Sequence, residues 1–310
     1  MNSSRSLRPA VIALACAGAL GLTACGGGAD PMESADSSSS EGGGAGGEVV
    51  VGSADFSESV LLAHIYAGAL KADGVNASTK TGIGSREVYL KALEEGSVDV
   101  IPEYTGALAL YYDKEFAEVD PDKTYAALQE LVPDGLTVLD KSAAEDKDSI
   151  VVTQKTAEED GLKSIADLKG VAGDMTLGAP SEFKERAQGI PGLEATYGVV
   201  FGEFRALKPG QAMSGALANG QIDAANIFST DPAIVENDFV VLEDPENLYG
   251  SQNVVPLVRT EVEEQVAETL NEVSSKLTTE KLQELLRQTD VEKMDPDQVA
   301  ADFLAAEGLD

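Results

Sequence analysis

The 310 residues carry 22 basic and 54 acidic side chains, a formal net charge of −32, with one histidine and two cysteines. Such a surface repels nucleic acid and anionic lipid headgroups and favours cationic solutes, an attraction that salt screens beyond about 8 Å. His64 alone, with only Cys16 and Cys25, argues against zinc or iron sites and leaves no nucleophile–histidine pair readily available; no cofactor is expected.

The chain opens with a targeting segment, residues 1–24. Arg5 and Arg8 form a basic front, and Ala10 to Leu22 is apolar but too short to span a bilayer. Leu22-Thr23-Ala24-Cys25 resembles the lipobox of bacterial lipoproteins, which implies that Cys25 carries lipid and becomes the first residue of the mature chain. Residues 25–47 are rich in Gly and Ser and read as a flexible tether. Loss of Arg5 and Arg8 with the leader leaves 20 basic against 54 acidic residues, a net of −34. No structural disulfide or thiol nucleophile then remains.

About 260 residues follow, enough for two α/β lobes. Glu48 to Ala54 reads as a strand, and Ser57 as the cap of an amphipathic helix over Glu58 to Ala72 that carries His64. Ala77 to Thr81 reads as a second strand, and Ser85 caps the next helix. Leu108 to Tyr112 and Thr124 to Leu131 read as helices. After the charged run Glu145-Asp146-Lys147-Asp148, a strand over Ser149 to Thr153 marks the crossing into a second lobe. There the pattern gives a short helix at Ile165–Leu168, strands at Met175–Gly178 and Phe201–Leu207, and a loop-to-helix segment over Ser181 to Tyr197. Phe239 to Leu242 leads back, Val254 to Arg259 is a strand, and amphipathic helices fill Glu261 to Glu307. Alternating strands and helices predict an α/β fold with largely parallel sheets. The expected division is 48–147 plus 245–310 for one lobe and 148–244 for the other.

One phrase occurs twice. Ala92-Leu93-Glu94-Glu95-Gly96-Ser97-Val98-Asp99 leads into Val100 to Tyr104, and Ala216-Leu217-Ala218-Asn219-Gly220-Gln221-Ile222-Asp223 leads into Ala224 to Phe228. Each reads as a helix stopped by a left-handed glycine, followed by a buried strand. Tyr104 and Phe228 lie at the same offset from their glycines, where the strands end. Ligands of open α/β sheets sit beyond such ends, so two lobes offering one ring apiece to a shared cleft is one reading. The other is that any two α/β units share this grammar.

Gly52-Ser53-Ala54-Asp55-Phe56-Ser57-Glu58, Gly84-Ser85-Arg86-Glu87 and Pro102-Glu103-Tyr104-Thr105-Gly106 resemble the osmoprotectant-binding lipoproteins of ABC importers. So do Ser181-Glu182-Phe183, Gly189-Ile190-Pro191-Gly192-Leu193, Phe228-Ser229-Thr230-Asp231 and Pro256-Leu257-Val258-Arg259, in the family's order. The resemblance implies a two-lobed periplasmic-binding-protein fold of type II, its lobes joined by two crossing strands. It also implies a solute receptor on the outer side of the cytoplasmic membrane, presenting its cargo to membrane permease and ATPase subunits. The family's solutes are quaternary ammonium compounds such as glycine betaine, choline and carnitine, which ring faces hold by cation–π attraction.

Carried over by position, Tyr104 stands at a cage tyrosine, and Phe228 keeps a ring where tyrosine is frequent. Asp148 and Gln252 stand at two further ring positions, with Tyr249 close enough to Gln252 to restore a ring if the loop slips. Ala107 replaces a frequent hydroxyl residue and Ala54 a frequent lysine. Arg186 matches a basic position able to reach a carboxylate. Asp55, Thr105 and Ser229 complete the expected contacts. With two rings in place of four, Asp148 becomes a direct partner for a cationic or hydroxylated solute. Tyr104→Phe should matter less than Tyr104→Ala, because the ring face remains. A receptor for an amino acid or a polyamine, and a lipid-tethered hydrolase, stay open as alternatives.

Overall fold

Runs such as Val49-Val50-Val51 and Val254-Val255 in one part of the chain, and Ile150-Val151-Val152 in another, have both faces to bury and so form central strands. The computed structural model describes residues 47–310. The leader, Cys25 and the tether up to residue 46 lie outside the described residues. The first sheet holds β1 (Val49–Gly52), β2 (Ala77–Lys80), β3 (Val100–Tyr104), β4 (Leu136–Val138) and β10 (Val254–Arg259), in the order β2-β1-β3-β10-β4. The second holds β5 (Asp148–Thr153), β6 (Thr176–Ala179), β7 (Glu203–Ala206), β8 (Ala224–Phe228) and β9 (Phe239–Val241), in the order β7-β6-β8-β5-β9. Phe239–Val241 therefore does not simply lead back: it is the edge strand of the second sheet.

Both sheets have one reversed strand in the same place. β10 runs antiparallel to β3 and β4, and β5 runs antiparallel to β8 and β9, while the remaining pairs are parallel. Each reversed strand is the one on which the chain enters from the other lobe. It starts at the cleft and runs outward, whereas β3 and β8 finish at the cleft. The crossing segments 139–147 and 242–253 lie side by side and meet at the antiparallel bridge Glu145–Asn253.

Helix α1 (Ser57–Ala72) packs between the first sheet and the C-terminal helix Pro296–Glu307. Leu61, Leu62, Ile65, Tyr66 and Leu70 are all fully buried, so the helix is apolar around most of its circumference rather than amphipathic. Ser57 is its first helical residue, not its cap: Phe56 takes that place, and the Ser57 hydroxyl donates to Asp290 at 2.6 Å. Ser85 holds the position before helix α2 (Arg86–Glu94), but its hydroxyl donates to Glu87 at 2.6 Å and does not cap the helix's amides, while α3 (Thr105–Tyr112) starts directly at the end of β3.

The repeated phrase folds alike in both lobes. Gly96 and Gly220 stop their helices at φ 71° and 65°, a region costly to other residues. Asp99 Oδ2 then accepts from the Val50 amide at 2.8 Å, and Asp223 Oδ2 accepts from the Thr176 amide at 2.8 Å. Each aspartate thus pins its own strand to the parallel neighbour.

Candidate functional site

The two lobes meet over a cleft lined by Tyr104 and Phe228 at the ends of β3 and β8, as their common offset predicts. The two rings do not form a pair with each other. Phe56, at the start of α1, stands between them, 6.3 Å from Tyr104 and 5.1 Å from Phe228 by ring centroids. The result is a continuous wall of three rings, one of which the sequence reading left out. Tyr89 on α2 also lines the cavity. The cavity has a volume of about 60 Å³, where holding one water takes about 10–15 Å³. That suits a small solute.

Behind the rings lies a buried polar layer. The Tyr104 hydroxyl donates to Glu58 Oε1 at 2.6 Å, and Thr230 Oγ1 donates to Glu58 Oε2 at 2.5 Å. Glu58 is 3% exposed and connects the first lobe to the second. Burial raises its pKa from the ordinary 4.5 to about 7, against the hydrogen bonds from Thr230, Tyr104 and Asp146. Asp146, on the first crossing, is pushed well above the carboxylate range by burial and by the Glu58 charge beside it. The Asp146 carboxylate accepts from the Thr230 amide at 3.1 Å and from the Ser229 hydroxyl at 3.3 Å.

Arg86 and Glu103 form a second buried pair. Arg86 Nε and Nη2 donate to the two oxygens of Glu103, each at 2.9 Å, while Tyr89 donates to Glu103 at 2.8 Å. Burial alone would depress the guanidinium pKa, but the Glu103 charge outweighs it and keeps Arg86 ionised.

The expected contacts divide. Tyr104, Phe228, Asp148, Arg186, Gln252 and Asp55 line the cavity. Thr105 and Ser229 do not. Thr105 is fully buried, accepting from the Asn253 amide at 3.1 Å and donating to the Ser251 carbonyl at 3.3 Å. Ser229 accepts from the Lys147 amide at 2.9 Å. Both residues hold the crossing segments to their lobes. Gln252 is also committed, accepting from the Ala107 amide at 2.9 Å and donating to the Tyr249 carbonyl at 2.8 Å. Tyr249 packs in the second lobe's core and does not replace it in the cavity. Arg186 Nη2 lies 3.4 Å from Glu87 and 3.8 Å from Glu182, and Asp55 pairs with Lys208 at 3.5 Å. The Arg186–Glu87 and Asp55–Lys208 pairs join the lobes at the cleft rim.

Residues 47–306 match the family model described as the substrate binding domain of the ABC-type glycine betaine transport system. The chain is 30% identical over 276 residues to the glycine betaine-binding protein YehZ of Escherichia coli (strain K12), covering 84% of this chain and 90% of that one. It is 26% identical over 262 residues to the carnitine transport binding protein OpuCC of Listeria monocytogenes (serotype 1/2a, strain 10403S), covering 82% and 85%. Among solved structures, that of a glycine betaine/carnitine/choline ABC transporter superposes with a TM-score of 0.67 at 25% identity, covering 84% of this chain and 99% of the other. Apo YehZ superposes with a TM-score of 0.60 at 29% identity, covering 86% and 100%.

Proposed function

This chain belongs to the family of substrate-binding domains of ABC-type glycine betaine transport systems, and from that premise we propose that its cleft captures a small methylated ammonium compound for import. The observation that carries the ligand class is the three-ring wall of Phe56, Tyr104 and Phe228. A methylated ammonium has no strong donor to offer, and ring faces attract it at about 0.5–2 kcal/mol each as water leaves. Closure over the solute joins the lobes, and the closed form is what a permease and its ATPase would receive. The reading involves no catalysis: the cleft's carboxylates are tied into hydrogen bonds and ion pairs that shape a binding site.

Two further parts belong to the same proposal. Lobe one comprises 48–147 and 245–310, and lobe two 148–244, in keeping with the two separate sheets. Cys25 carries lipid and tethers the receptor outside the cytoplasmic membrane through residues 25–47. Cys25→Ser should release the protein or stall its processing; unchanged membrane retention would contradict the anchor.

Thermal unfolding of the full chain with choline, glycine betaine and carnitine tests the ligand class. A true ligand at a hundred times its Kd stabilises by about 2.7 kcal/mol, a visible rise in Tm. Phe56→Ala, Tyr104→Ala and Phe228→Ala should each cut the affinity by about tenfold, since about 1.4 kcal/mol is a factor of ten. A rise with amino acids or polyamines alone would contradict the reading.

A further inference from the structure

The charges around the cavity are unevenly matched. Asp55, Arg86, Asp146, Asp148, Glu182 and Arg186 line it. Every basic group at or beside it already has a carboxylate. Arg86 holds both oxygens of Glu103, Arg186 lies between Glu87 and Glu182, and Lys208 at the rim pairs with Asp55. The Glu58–Asp146 pair is satisfied by Tyr104, Thr230 and Ser229. Asp148 stands apart. Its Oδ1 accepts from Asn226 Nδ2 at 2.9 Å, and among the described residues no donor reaches its second oxygen.

Backbone register fixes where that carboxylate lies. Asp148 opens β5 directly opposite Phe228 at the end of β8, so the two side chains share one face of the sheet. Asn226, two residues before Phe228, is on that same face and holds the carboxylate beside the aromatic wall. A cation seated on the rings would have Asp148 as its counter-ion. A carboxylate carried by the same solute would find each arginine engaged and an acidic neighbour repelling it, which is discrimination by an unfavourable contact. Burial raises the Asp148 pKa against the opposing effects of Asn226, Arg186 and Arg86, and a bound cation would act in the same direction as those three.

We propose that Asp148 makes this cleft select solutes of net positive charge, choline-type ammonium alcohols, over zwitterionic betaines; the inference rests on the methylated-ammonium reading of the site. Glycine betaine amide is the informative probe, because it keeps the betaine skeleton and replaces the carboxylate by a neutral group. Titration calorimetry on the full chain should show choline and the amide binding at least about tenfold more tightly than glycine betaine. In Asp148→Asn, which keeps the shape and removes the charge, both cations should lose about tenfold while glycine betaine changes by less than about threefold, so the preference collapses. Glycine betaine binding as tightly as its amide to the unaltered protein would overturn the proposal, whether or not the variant folds. Equal losses for all three ligands in Asp148→Asn would overturn it too. Binding of none of them would remove the methylated-ammonium reading itself, and this inference with it.

Discussion

The hydroxyl of Tyr104 is committed to the protein and not to the cleft. It donates at 2.6 Å to Glu58, a carboxyl almost without solvent access. The expectation that Tyr104→Phe weakens binding less than Tyr104→Ala is drawn from the ring alone; the hydroxyl bears on stability instead. Removing the hydroxyl leaves a buried acceptor short of a partner, a loss of about 1–3 kcal/mol. Thermal unfolding should show Tyr104→Phe lowering Tm by roughly 2–10 °C for a chain of this size, and a shift below about one degree would contradict the account. Glu58 also gives stability a pH dependence of known sign. Its pKa is raised from 4.5 to about 7, chiefly by burial, with Asp146 and Asp231 as its acidic neighbours. Below about 4.5 the group is protonated folded or unfolded and costs nothing. As pH rises towards about 7 the folded form holds a proton that the unfolded chain has lost, and stability falls. Glu58→Gln removes this dependence. Its Tm relative to the parent should be higher at pH 8 than at pH 5, and parallel Tm profiles would contradict the assignment.

At the scale of elements, the two copies of helix–glycine–aspartate–strand place equivalent side chains in equivalent work. Asp99 and Asp223 each clamp the neighbouring strand, and Tyr104 and Phe228 each end at the cleft. This much was legible, because the spacing from glycine to aromatic is local and the strand exit follows from it. Phe56 was not. It sits at the cap of α1, one residue before the helix, where no periodicity distinguishes a core ring from a cleft ring. Its best signal was its place just beyond the first strand. Thr105 and Ser229 misled for the converse reason. Adjacency to an aromatic suggested the cleft, but a residue next to a strand-end side chain points elsewhere, here into the crossings. The Arg86–Glu103 and Glu58–Thr230 partnerships join residues from different elements, which no local pattern encodes. Gly106 shows how close that packing is. A Cβ there would lie 2.4 Å from the Ser251 carbonyl oxygen and 2.9 Å from Gln252 Nε2. Gly106→Ala should push α3 away from the second crossing, costing about 1–3 kcal/mol and weakening solute binding along with Tm. An unaltered Tm and affinity would show that the crossing yields freely.

Across the whole molecule, contacts between the lobes include the rings, the Glu58–Thr230 bond, the bonds of Asp146 and Lys147 to Ser229 and Thr230, and the rim ion pairs. Their weights differ. Lys208 is well exposed, so its pair with Asp55 should be worth less than about 1 kcal/mol, and Lys208→Ala should weaken binding by no more than about fivefold. On the proposed reading the aromatic wall excludes water and meets the solute itself, and so carries the larger share of the affinity. The most direct measurement is calorimetric titration of the full chain with choline and with 3,3-dimethylbutan-1-ol, which replaces the ammonium nitrogen by carbon and keeps the shape. Choline should bind saturably and the carbon analogue at least about a hundredfold more weakly, since both cation–π attraction and the Asp148 charge are then unused. Equal affinity for the two would mean that the rings recognise bulk and not charge, and would contradict the account.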